Sequence, residues 1–269
     1  MSATQQLAII FLGTRGEIDA RSRQHLRHSS VMIERGGARV MIDCGADWLG
    51  HLMRLSPTAI LLTHAHPDHA AGLTGGAPCP IYATRTTWRL LSAWPLCDRR
   101  VMPLRKPIAI GGITFEAFPV AHSLRAPAVG YRISVGRSRL FYVPDVVAIR
   151  NRRRALEGLN LYVGDGAAIN RPIIRRRGQA AIGHTSIRIQ LDWCKAERVG
   201  ISFFTHCGSG IVNGDPRRIG QVVRRLGVER GVEARVARDG LRLVLDGRNV
   251  RCAGAARGFG SVNPAHGRC

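Results

Sequence analysis

Residues 63–72 read THAHPDHAAG, and no other stretch restricts the fold as much. Its cluster, His64-x-His66-x-Asp68-His69, comes after the apolar run AILL (59–62) and before AAGL (70–73), a helix start, so three histidines and an aspartate crowd one strand-to-helix turn. Side chains alternate along a strand, which points His64 and His66 to one side, while the turn carries Asp68 and His69 to a neighbouring spot. Imidazole and carboxylate suit zinc and related divalent ions, and a catalytic ion takes about three protein ligands plus a water. Two adjacent ligand sets therefore need more donors than this turn supplies.

The remaining donors stand at other strand ends. His122 follows ITFEAFPV, Asp145 follows RLFYV, His184 lies in IGHTS, and His206 follows VGISFFT. Each sits at the C-terminal edge of an apolar segment, where α/β sheets commonly carry chemistry. Asp43, ending ARVMID, either orients a ligand imidazole or caps a turn. Asp165, ending YVGD, serves the cleft or a turn. GHTS also reads as a helix N-cap through Thr185 and Ser186, a role that asks nothing of His184. Cys207, beside His206, points away from it as a buried thiol.

Short β-rich runs at 7–12, 31–34 and 38–43, with Gly36 and Gly37 as a hairpin turn, predict the opening strands. A helix follows from Arg85 into TWRLLSAW, then strands at 113–119, 129–135 and 139–143. Ile187, Leu191 and Cys194 fall at helical spacing, as do Ile219, Val222, Val223 and Leu226, with the buried-strand candidate VGISFFT between. This order predicts two sheets with helices on their outer faces. With 269 residues, 45% of them hydrophobic, the chain can bury a large core, read as one domain over 1–250. From Arg251 the composition turns to Gly, Ala, Arg, Ser and Pro, predicting a loosely ordered tail at 251–269. MSATQQLAIIFLG lacks a basic leader and reads as a first strand, no run reaches membrane-spanning length, and seven cysteines without a C-x-x-C pair argue against a disulfide framework. The expected location is cytoplasmic.

The net charge of +22 attracts polyanions, so nucleic acid is a candidate partner. Nearly all the basic residues are arginine, with lysine only at 106 and 195, a skew that phosphate binding and compositional bias explain equally. Eight arginines lie between Asp145 and His184, among them Arg175 and Arg176, and their guanidinium groups either meet substrate phosphates or form a solvated face.

The pattern H-x-H-x-D-H, followed by histidine, aspartate and histidine at strand ends, resembles the metallo-β-lactamase superfamily. FLGTRG (11–16), RHSS (27–30), MIDCGAD (41–47) and FFTHCG (203–208) extend the resemblance over most of the chain. It implies a four-layer αβ/βα sandwich of two mixed β-sheets with outer helices and a dinuclear site in the cleft. Carried over, His64, His66 and His122 hold one ion, Asp68, His69 and His206 the second, and Asp145 bridges them; the ions are zinc, with manganese or iron as alternatives. FLGT, the serines before the second strand and GHTS are most similar to the branch containing ribonuclease Z and the cyclic phosphodiesterase of the carbon–phosphorus lyase pathway. That likeness implies a metal-bridging hydroxide oriented by Asp68, His184 as general acid, and a homodimer. The chain departs from both relatives. Only 22 residues separate His122 from Asp145, where short-form ribonuclease Z carries a tRNA-gripping arm, and no cysteine stands in GTRGEIDARSRQHLRH, where the other enzyme holds an extra zinc. The leading expectation is a phosphodiesterase acting on RNA, DNA or a small cyclic phosphodiester. The alternatives are a thioester, lactone or other carboxylic-ester hydrolase, and a non-catalytic nucleic-acid-binding protein.

Overall fold

In the computed structural model, which describes residues 6–253, the apolar runs become strands of two eight-stranded sheets. The first six are β1 (Leu7–Gly13), β2 (Ser30–Arg35), β3 (Ala38–Ile42), β4 (Ala59–Leu61), β5 (Ile81–Ala83) and β6 (Arg99–Val101). There follow β7 (Ile108–Ile110), β8 (Ile113–Ala121), β9 (Ala128–Val135), β10 (Ser138–Tyr142), β11 (Ala148–Ile149) and β12 (Leu161–Asp165). A hairpin of β13 (Ile173–Arg177) and β14 (Ala180–His184) precedes β15 (Ile201–Thr205), β16 (Glu233–Val236), β17 (Arg242–Asp246) and β18 (Asn249–Ala253). One sheet has the order β18-β17-β1-β2-β3-β4-β5-β6, the other β11-β8-β9-β10-β12-β15-β16 with β7 also paired to β8, and β13–β14 stands alone.

Strand alternation sorts the apolar side chains into layers. Leu7, Ile9 and Phe11 of β1 pack with Phe115, Tyr131 and Tyr142 of the second sheet, forming the core between the sheets. Ile10 and Leu12 face the other way, onto Trp48, Leu52 and Leu55. The outer face of the second sheet, with Phe118, Phe141 and Tyr162, is covered by Ile187, Leu191 and Cys194 from the helix Ile187–Ala196 and by Val223 and Leu226 from the helix Pro216–Val228. The molecule is thus the expected four-layer sandwich.

Both sheets bring parallel strands to a common edge. β3, β4, β5 and β6 run parallel, as do β10, β12, β15 and β16, so their C-terminal ends collect on one side. Gly36 and Gly37, at φ 49° and 90°, make the two-residue turn between β2 and β3. The helix expected over 85–94 stops at Leu90; Pro95 disfavours helical geometry at Trp94. β18 pairs Arg251, Cys252 and Ala253 with β17, three residues into the segment expected as tail, and the rest of that segment lies outside the described residues. Among the described residues no helix is long and apolar enough to cross a membrane.

Candidate metal centre

Seven strand ends supply the site. β4 runs into Thr63 and His64; His66 is the N-cap of a helical turn, Pro67–Ala70, whose Pro67 is preset for a first helical position and whose first residues carry Asp68 and His69 inward. His122 follows β8, Asp145 lies three residues beyond β10, Asp165 ends β12, His184 ends β14, and His206 follows β15. Asp43, expected at the end of β3, lies just past it at φ 64°, and His206 has φ 54°. Both are side chains in the left-handed region, a conformation that surrounding structure must enforce.

The structure brings all seven predicted ligands together. His64 Nε2 lies 2.9 Å from His66 Nδ1, which is 3.3 Å from His122 Nε2. Asp68 Oδ2 is 3.0 Å from His69 Nε2 and 3.1 Å from His206 Nε2. Asp145 stands between the sets, with Oδ2 2.8 Å from His69 Nε2 and Oδ1 3.5 Å from both His122 Nε2 and His206 Nε2. His64/His66/His122 and Asp68/His69/His206 are each grouped closely enough to hold an ion.

Hydrogen bonds behind the rings set which nitrogen faces inward. His69 Nδ1 donates to Asp43 Oδ2 at 2.9 Å. The Thr63 hydroxyl donates to Asp43, so it accepts from His64 Nδ1 at 2.9 Å. His122 Nδ1 donates to the Gly183 carbonyl at 3.0 Å. In each ring the Nε2 lone pair is therefore left to the cluster, the arrangement a metal ligand needs. Asp43 thus holds the His69 ring directly and the His64 ring through Thr63, a residue whose part the sequence did not signal.

The donor set fits divalent cations. His69 Nε2 and Asp145 Oδ2 are buried and without hydrogen-bond partners, although 2.8 Å apart, so both lone pairs converge on the same space. Burial would raise Asp68 and Asp145, but the His69 and His206 charges hold both carboxyls well below the usual range. Burial pushes His64 well below the ordinary histidine value, and His66 and His122 down too, keeping those rings neutral. Burial would also lower His69; the surrounding Asp68, Asp145 and Asp43 charges raise it well above. Three buried carboxylates, Asp43, Asp68 and Asp145, acting together on His69 make the pocket attractive to a cation.

His184 approaches from another side. Its Nδ1 donates to Asp165 Oδ2 at 2.8 Å and lies 3.7 Å from Asp145 Oδ1. Burial alone would lower this ring, but Asp165, by charge and hydrogen bond, raises it to about 9. Its side chain is 21% exposed, so it can exchange protons with solvent. Asp165 also accepts from Val146 N and Ala167 N, while its own N–H donates to Gln190 Oε1. Gln190, unnoticed in the sequence, left one signal: a polar residue on the apolar face of its helix. Ser186 caps that helix by accepting from Ile189 N at 3.3 Å, so GHTS serves both as cap and as the approach to the cluster. Cys207 is buried in the outer core layer. Arg175 and Arg176 are exposed on β13, outside the cluster.

Residues 38–207 match the family model described as the beta-lactamase superfamily domain. Over 181 residues the chain is 28% identical to the ribonuclease Z of Methanopyrus kandleri, covering 59% of this chain and 62% of that protein. The metallo-beta-lactamase fold protein YhfI from Bacillus subtilis superposes with a TM-score of 0.70 at 15% identity, covering 89% of this chain and 99% of that one. A diphosphatase from the PhnP family gives 0.67 at 21% identity, covering 92% and 99%. The chain matches less than two thirds of the Methanopyrus protein, and the two structural likenesses bear on the fold.

Proposed function

The chain belongs to the beta-lactamase superfamily, and on that premise we propose that it is a dinuclear metal-dependent phosphodiesterase. The fold implies divalent metal ions. In this reading His64, His66 and His122 would hold one and Asp68, His69 and His206 the other, with Asp145 shared between them. Zinc suits this imidazole and carboxylate set, with manganese and iron as alternatives. Two such ions would lower the pKa of water and polarise a phosphoryl oxygen.

The observation that carries the reading is the pair His184–Asp165 beside the cluster. Asp165 pins the Nδ1 proton of His184, so Nε2 is the atom that delivers a proton to a departing alkoxide. A phosphodiester needs that donor, because its leaving oxygen is strongly basic in water. Asp68, between His69 and His206, orients the attacking water and accepts its proton. The ligand set is complete, which weighs against a purely nucleic-acid-binding role. The Methanopyrus relative, a ribonuclease Z, supports the same class of chemistry.

The test is reconstitution of metal-free protein with zinc, manganese or iron, then parallel assays on bis(p-nitrophenyl) phosphate, labelled RNA, a thioester and a lactone. The expected result is phosphodiester hydrolysis dependent on metal. Thioester or lactone turnover with inert phosphodiesters would instead make the protein an acyl hydrolase.

A further inference from the structure

The β13–β14 hairpin belongs to neither large sheet and meets the metal centre at one end. There Ile173 pairs with His184, and Gly183 N donates to the His122 carbonyl at 2.8 Å. Gly183 has φ 113°, and a Cβ on it would stand against the Ile173 carbonyl, so only glycine allows this junction. At the far end Arg177 pairs with Ala180 across Gly178 and Gln179, with Gly178 at φ 59° as the first residue of a two-residue turn.

Every residue of β13 is exposed. Alternation puts Ile173, Arg175 and Arg177 on one face and Ile174 and Arg176 on the other. The first face begins level with His184, so Arg175 and Arg177 stand roughly 7 and 13 Å further along it. Arg15, Arg39, Arg230 and Arg242 all pair with carboxylates. The three guanidinium groups of β13 have no hydrogen bond or ion pair among the described residues. Unpaired guanidinium forks suit phosphate oxygens, and two of them at regular spacing suit a run of phosphates more than a single one.

We propose that the Arg175–Arg177 face is a track for the leaving-side backbone of a single-stranded nucleic acid. This rests on the phosphodiesterase reading: His184 protonates the leaving oxygen, so a chain lying on the face that begins at His184 is the leaving chain. A single strand is favoured because six of the seven candidate ligands are buried, His66 being partly exposed, and the scissile phosphate must enter a recess, which a flexible backbone can do without unpairing. Arg176, expected alongside Arg175 as a substrate contact, faces away from the track and Arg177 takes its place.

The experiment uses the metal-loaded full chain, oligonucleotides with one, two or three phosphates on the leaving side, and bis(p-nitrophenyl) phosphate. For the wild type, kcat/KM rises with each added leaving-side phosphate up to the third. R175A/R177A loses about 10- to 100-fold more on the longest oligonucleotide than on bis(p-nitrophenyl) phosphate, and its salt slope falls by about 1 to 2. R176A shows a clearly smaller differential loss. Equal losses for R176A and the double variant would reduce the effect to net charge and overturn the track. So would full oligonucleotide activity in the double variant with a changed sedimentation coefficient, which would make the hairpin a contact between copies. Cleavage of bis(p-nitrophenyl) phosphate without dependence on leaving-side length overturns the track alone; inactivity on every phosphodiester overturns the underlying reading as well.

Discussion

Replacing Asp165 with asparagine removes the charge behind His184 while keeping the side-chain shape. Asp165 Oδ2 accepts from His184 Nδ1 at 2.8 Å and Val146 N at 3.0 Å, and Oδ1 accepts from Ala167 N at 2.8 Å. Burial lowers His184, and Asp165 is the main influence that raises it to about 9. Without that carboxylate the remaining Asp145 and Asp68 charges still offset burial, and the ring returns to about the ordinary value of 6.5. At pH 8 its protonated fraction then falls from about nine tenths to about 3%, a loss of up to about 30-fold in general acid. At pH 6 most of the ring stays protonated in both proteins, so the loss there is less than about twofold. The assay is kcat/KM from pH 6 to 9 on a dinucleotide, whose alkoxide needs a proton, and on bis(p-nitrophenyl) phosphate, whose phenolate needs little. The expected signature is an alkaline limb shifted to lower pH on the dinucleotide alone. A uniform loss on both substrates at every pH would refute proton donation and leave Asp165 as a support for Val146 and Ala167. Asparagine also turns an N–H toward one of the three donors, at about 1–3 kcal/mol, which a separate melt would register.

Three further outcomes follow from the geometry. Asp43→Ala unpins His69 and, through Thr63, His64, and is expected to weaken metal affinity about 10- to 100-fold, measured by competition with a chromogenic chelator. Gly45→Ala drives a Cβ into the Asp68 carbonyl oxygen, so it should lower stability by about 1–3 kcal/mol and reduce metal content; normal metal content and melting would count against this packing. His25, whose Nδ1 donates to Thr14 Oγ1, is pushed down to about 4 by burial. Its contribution is complete above pH 6.5 and lost as pH falls toward 4, so the stability gap between wild type and His25→Gln should shrink by up to about 3 kcal/mol over that range. Urea titrations of metal-free protein at pH 7, 5.5 and 4.5 measure the gap, and a constant gap would mean that His25 is not held neutral.

The strands easiest to foresee were those with buried, alternating apolar residues. β1, β2, β8 and β9 fill the core between the sheets, and the pattern of their side chains follows from the two-residue period. β6, reading RRV, and β13, reading IIRRR, are exposed edge or hairpin strands whose pairing owes nothing to an apolar face, and they left no such trace. Gln190 and Thr63 were missed for a related reason: their roles lie in hydrogen bonds to residues that only folding brings near.

The sequence alone determined that His64, His66, Asp68 and His69 converge, because a strand end running into a helix start leaves those spacings little freedom. It also marked His122, Asp145, His184 and His206 as strand-end donors. Tertiary structure decided the rest: that donors as distant as Asp68 and His206 stand 3.1 Å apart, which nitrogen of each ring faces inward, and that Asp165 holds His184. It also decided that Arg175 shares its face with Arg177 and not with Arg176, since register is set by pairing across the hairpin. Local spacing constrains neighbours in the chain, whereas the partners of a buried polar atom are chosen by sheet order and packing, which no single segment encodes.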